Sequence, residues 1–152
     1  ARRGRLLEES IAALRALWGP GPAHHAGVEW SFGPVHLEPT PPVVPPILIG
    51  AGAPRALRRA ATLGDGYIVP GVPFDRSIEL IGEVRALRER LGPGGRPFHV
   101  QGRVTDPDSA DQRDRAAAAG VDSVVVTAWT PADDTLAAKA AAVERAATRW
   151  SA

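Results

Sequence analysis

Pro45-Pro46-Ile47-Leu48-Ile49-Gly50-Ala51-Gly52-Ala53-Pro54-Arg55 is the stretch whose reading decides the fold. Apolar residues run into a glycine turn, and the turn runs into a helix with Leu57, Ala60, Ala61 and Leu63 on its apolar face. A buried strand ending this way delivers backbone N–H groups to a helix N-terminus, where an anion such as phosphate is favoured. Gly50 and Gly52 are expected to let the backbone come close to a ligand and to adopt angles that a side chain forbids. Pro54 suits the first helical turn, where its missing N–H costs nothing. These residues offer backbone dipoles and no reactive group, so the stretch binds rather than reacts.

The same strand–helix alternation continues outward in both directions. Upstream, Leu7, Ile11, Leu14 and Trp18 recur at helical spacing over residues 2 to 18, and Gly19-Pro20-Gly21-Pro22 ends that helix. Residues 23 to 44 form an excursion whose apolar positions, Val28, Trp30, Phe32, Val35 and Leu37, predict a short hairpin or extended loop. Downstream, Tyr67-Ile68-Val69 is a short buried strand. Asp75 is the expected N-cap of a helix with Ile78, Ile81, Val84, Leu87 and Leu91 on its face. Phe98 to Thr105 alternates as a strand, and Asp106-Pro107-Asp108-Ser109 opens a helix ending at Gly120. Val121 to Trp129 is a further strand. An alanine-rich helix with Leu136, Val143 and Trp150 on its face closes the pattern. Four strand–helix units with right-handed crossovers make a parallel sheet, in an open doubly wound fold or part of a (β/α)8 barrel.

Composition narrows the function. The chain has 152 residues, 44% of them apolar, enough for one domain with a real core. A net charge of +1 gives no basic footprint for nucleic acid. The absence of cysteine excludes disulfides, thiolate catalysis and sulfur-based zinc sites, and fits a reducing cytoplasm. No apolar run approaches the roughly 18 residues a membrane helix needs, and Ala1-Arg2-Arg3-Gly4 does not open a signal peptide. The chain holds no methionine, even at its start, which predicts a piece of a longer protein.

The ordered set of motifs resembles the luciferase-like monooxygenase superfamily. It comprises Pro46-Ile47-Leu48-Ile49-Gly50-Ala51-Gly52-Ala53-Pro54, then Leu57-Arg58-Arg59-Ala60-Ala61-Thr62-Leu63-Gly64-Asp65-Gly66-Tyr67. Arg5-Leu6-Leu7-Glu8-Glu9 with Leu14-Arg15-Ala16-Leu17-Trp18, Gly95-Arg96-Pro97, and Ala119-Gly120-Val121-Asp122-Ser123-Val124-Val125-Val126 continue the likeness, up to about residue 130. The resemblance implies a TIM-barrel enzyme, an oxidoreductase using the deazaflavin F420 or FMN on a small organic substrate. It also implies that residues 1–152 are a partial barrel domain, the C-terminal half with four parallel strands. The expected partners are then the N-terminal half of the barrel or a second copy of the chain, with no nucleic acid and no membrane. The alternative is a non-catalytic half-barrel that binds a phosphate-bearing ligand or pairs with another chain.

The turn's candidate residues follow from the same likeness, and further candidates from strand position. The turn Gly50, Ala51, Gly52 and Ala53, with Arg55 behind it, resembles the one that contacts the cofactor's phosphate end. Ala51-Gly52-Ala53-Pro54 looks closest to the F420 branch. A Rossmann fingerprint ranks lower, since Arg55 stands where its third glycine belongs and Pro54 blocks its continuation. His99, Gln101 and Arg103 share one face of their strand. Arg103, nearest the strand's C-terminal end, is either an anion-pairing residue for substrate or cofactor or half of a buried ion pair. Thr127 and Trp129 end the last strand, and Trp129 either walls the pocket or packs. Asp65, at a strand's start, is a structural cap rather than a catalytic acid. His24 and His25 diverge and lack flanking carboxylates, so no metal site is expected. No general acid or base can be assigned from the sequence.

Overall fold

A computed structural model describes residues 2–126, 128 and 132–150, with residues 149 and 150 described by their backbone alone. Thr127, Trp129 and the side chain of Trp150 lie outside the described residues. The chain opens with α1 (Arg2–Leu17), followed by a hairpin of β1 (Ala23–Ala26) and β2 (Ser31–Val35). Then come β3 (Leu48–Gly50), α2 (Pro54–Leu63), β4 (Gly66–Ile68), α3 (Phe74–Leu91), β5 (His99–Val104), α4 (Ala110–Ala118), β6 (Ser123–Val126) and α5 (Leu136–Trp150).

β3 to β6 form a four-stranded parallel sheet in sequential order, flanked by helices. Strands that never double back, joined by right-handed crossovers, leave α2, α3 and α4 on one face. That is the winding of part of a (β/α)8 barrel. A doubly wound sheet reverses its strand order and has helices on both faces.

The register sorts the side chains. Ile49, Tyr67 and Val100 are paired neighbours across three strands, and all three are buried under the helices. They meet Leu57, Ala60 and Ala61 of α2 and Leu80, Ile81 and Val84 of α3 in one core. One residue out of phase, Leu48, Ile68, His99, Gln101, Arg103, Ser123 and Val125 share the opposite face. Gly66 lets β4 lie close to its neighbours: a Cβ there would sit 2.3 Å from the His99 carbonyl oxygen and 2.9 Å from Leu48 Cγ.

Asp65 ties the N-terminal end of the sheet together. Its carboxylate accepts from Arg15 Nη2 at 3.0 and 3.1 Å, from Arg96 Nη2 at 2.6 Å and from the Ile47 N–H at 3.1 Å. Burial pushes its pKa up, but the Ile47 N–H and the Arg15 and Arg96 guanidinium groups outweigh that and hold it below the ordinary carboxylate value.

Several expectations are corrected. The apolar periodicity of α1 marks Ile11 as buried, but Leu7 and Leu14 stay exposed, and Ala13 is buried instead. In α5, Leu136 is 85% exposed and Val143 is exposed as well, while Ala142 is buried. The expected hairpin is present over residues 23–35, with Val28 and Trp30 in its connection. Pro73, not Asp75, takes the N-cap position of α3. Asp75 sits in the first turn, a favourable place for an anion, and accepts from Arg115 at 2.6 Å.

Candidate functional site

Parallel strands send their C-terminal ends to one edge, and the connections there are β3–α2 and β4–α3 beside the end of β5. In the β3–α2 turn the chain runs from Gly50 through Ala51, Gly52 and Ala53 into Pro54 at the head of α2. Ala53 is in extended conformation and offers no side-chain cap, and its carbonyl accepts from the Ala56 and Leu57 N–H groups at 2.9 Å. Among the described residues the Gly52, Ala53 and Arg55 N–H groups have no acceptor. Unpaired N–H groups at the positive end of a helix dipole attract anions.

Neither Gly50 nor Gly52 has a positive φ, contrary to the expectation that the turn needs angles a side chain forbids. A Cβ on Gly50 would meet only the Ile68 carbonyl oxygen at 3.9 Å, and one on Gly52 only Pro70 Cγ at 3.6 Å. Both are ordinary contacts, so the chain itself does not demand glycine here. The small residues leave open space in front of the helix.

The turn is anchored from the core. Tyr67 is fully buried and its hydroxyl donates to the Ala51 carbonyl at 2.7 Å. Burial, with Glu83 adding to it, pushes the Tyr67 pKa up to about 12, so the group stays a donor at any physiological pH. The sequence marks Tyr67 as a strand residue and does not reveal this bond. The available signal is general: a tyrosine buried in a short apolar strand must find a partner for its hydroxyl.

Arg103 lies on the face turned from the helices, near the C-terminal end of β5. It is exposed and has no ion-pair partner among the described residues. Its Nη1 reaches the β4–α3 connection, where a Cβ on Gly71 would lie 3.2 Å away. The sheet order places it two strands from the glycine turn, along the same edge. Below it, Gln101 is half-buried and His99 Nε2 lies 2.7 Å from Ser123 Oγ.

Arg55 contributes its backbone to the turn, but its side chain is exposed on the outer side of α2. There it borders a cleft of about 420 Å³ with Glu8, Arg58, Arg59 and Thr62. Arg59 donates to Glu8 in that cleft at 2.8 Å. Trp129 cannot be placed relative to this edge, being outside the described residues. Among the described residues no group of three or more His, Asp or Glu could hold a metal ion, and no helix is long and apolar enough to cross a membrane.

Comparison with known proteins agrees with this architecture. An uncharacterized protein of Mycobacterium tuberculosis is 32% identical over 126 residues, covering 83% of this chain and 43% of the relative. An uncharacterized protein of Mycobacterium bovis matches to the same extent. Another from M. tuberculosis is 32% identical over 95 residues, 60% of this chain and 34% of its own. The chain thus spans less than half the length of the curated relatives it matches. Residues 1–149 match the family model of the luciferase-like monooxygenases, and the chain belongs to that family.

Proposed function

We propose that this chain supplies the phosphate-holding side of an oxidoreductase that uses F420, with FMN as the alternative, on a small organic substrate. The open cradle at Gly52, backed by unpaired N–H groups at the head of α2, supports this reading most directly. The bound cofactor would supply hydride transfer or oxygen activation. The protein binds it, orients it and excludes water. Gly50, Ala51, Gly52 and Ala53, with the Arg55 N–H, receive the phosphate end. Arg103, along the same edge, pairs with an anionic group of substrate or cofactor, and Trp129 lines the pocket. F420 ranks first because the Ala51-Gly52-Ala53-Pro54 turn is similar to that branch of the family. A chain free of cysteine suits a cytoplasmic enzyme.

A second reading draws on the sheet face turned from the helices. Val125 is 47% exposed there, with Leu48 and Ile68 half-buried beside it. Residues 1–152 then act as a partial barrel domain whose open face is covered by further strands or by a second copy of the chain, with no turnover.

The two readings separate in one titration. F420 and FMN are added to the full-length protein and to Gly52→Val, following cofactor fluorescence, and turnover is measured in parallel. The enzyme reading expects binding, turnover, and affinity at least about tenfold weaker in the variant, a difference of about 1.4 kcal/mol. Equal affinities would remove the turn from the site. Binding without turnover would favour the second reading.

A further inference from the structure

We infer that Tyr67 is a positioning residue for the anion-holding turn: its hydroxyl fixes the Ala51 carbonyl and thereby aims the Gly52 N–H at the ligand. This rests on the phosphate reading of the turn given above. The Ala51–Gly52 peptide is trans, since the cis bonds among the described residues are Gly33–Pro34 and Glu38–Pro39. In a trans peptide the C=O and the N–H of the next residue point in opposite directions. Tyr67 belongs to the core beneath α2 and α3, and it draws the Ala51 carbonyl oxygen toward that core. The Gly52 N–H of the same peptide therefore points away from the core, out over the edge where Gly52 leaves open space.

The bond has work to do because of the glycine itself. A residue without Cβ opens the cradle, but it also lets its peptide flip at little cost. A flip would turn the carbonyl oxygen, which repels anions, toward the ligand. Phenylalanine would fill the same buried space without restraining the peptide. The hydroxyl thus separates the packing role of this ring from its orienting role, and that separation can be measured.

The test uses 15N-labelled full-length protein as wild type, Y67F and G52A, with inorganic phosphate and FMN as probes. Dissociation constants are read alongside thermal melts and the amide resonances of Gly52 and Val100. We expect Y67F to bind FMN about tenfold more weakly, the equivalent of about 1.4 kcal/mol. Its Gly52 amide should lose the phosphate-induced shift that wild type shows, while the Val100 amide stays in place. Y67F binding as tightly as wild type while G52A binds weakly overturns the role of Tyr67 and leaves the turn as the site. Undiminished binding by both variants overturns the role of Tyr67 together with the site reading. Should Y67F fail to fold, wild type decides: the hydrogen-bonded Tyr67 hydroxyl proton should shift with Gly52 on phosphate addition, and a Gly52 shift without it overturns the inference.

Discussion

Replacing Asp65 by asparagine should loosen the N-terminal end of the sheet without touching the binding edge opposite. The Asp65 side chain is 19% exposed, while its partners Arg15 and Arg96 are 32% and 53% exposed. The half-exposed Arg96 pair falls in the surface regime and is worth about 0.5 kcal/mol. The Arg15 contact is more enclosed, and its charge-assisted bonds are worth about 1.5 kcal/mol. The asparagine oxygen can still accept from the Ile47 N–H, so that bond is retained. The expected loss is about 2 kcal/mol, which lowers Tm by about 4–8 °C in a chain of this size. The pH dependence has a definite sign. The folded-state pKa of Asp65 is depressed, so its contribution is present above the unfolded-state pKa and disappears as pH falls through the folded one. Calorimetric melts of wild type and Asp65→Asn from pH 7 downward should therefore show a gap that closes in acid. Equal Tm values at pH 7, or a gap that stays constant into acid, would refute the reasoning, and weakened cofactor binding would show that Asp65 does more than clamp.

Arg103→Ala should weaken binding of an anionic substrate or cofactor while costing less than about 1 kcal/mol of stability, because the side chain is exposed and pairs with no described carboxylate; melts and titrations on one preparation check both. Gly66→Ala should cost about 3 kcal/mol, since its Cβ would meet backbone of β5 at 2.3 Å, whereas Gly52→Ala should leave the melting curve unchanged. Glu9 accepts from the Glu29 and Trp30 N–H groups at 2.7 and 2.6 Å, and the Trp30 bond is the main cause holding its pKa below the ordinary value. Glu9→Ala should speed hydrogen exchange at Glu29 and Trp30 while leaving exchange at Val100 and Val104 as it was, a contrast that mass spectrometry can resolve.

The parallel sheet was legible because its strands are bounded by glycine or proline, and the apolar stripes of α2 and α3 mark helices that cover it. Leu57, Ala60 and Ala61 were buried as their spacing required. The stripe on α5 misled: Ala142 is buried while Leu136 is 85% exposed, a choice that period alone does not make. The glycine turn was visible as a sequence, yet the reason for its glycines was not. Dihedral angles and the space around a missing Cβ belong to the folded chain, and here they shift the explanation from backbone strain to open room. The Tyr67–Ala51 bond spans 16 positions, and no local pattern announces a contact of that kind. Arg103 was readable as a face, but not whether a carboxylate stands beside it, because pairing depends on which carboxylates the fold brings near; among the described residues none does.

The alternation along β5 has an evolutionary consequence. Val100 and Val104 lie in the core while His99, Gln101 and Arg103 point the other way, so the strand carries two interleaved messages. Point substitutions can edit one message and leave the other intact, which lets binding preference drift under a constant core. An inserted or deleted residue exchanges the two, sending arginine under the helices and valine to the open face. Length variation among homologues should therefore be barred from residues 99–104 and concentrate instead in the turn just before them, where Gly94 and Gly95 have no neighbouring atom within 4 Å of an added Cβ.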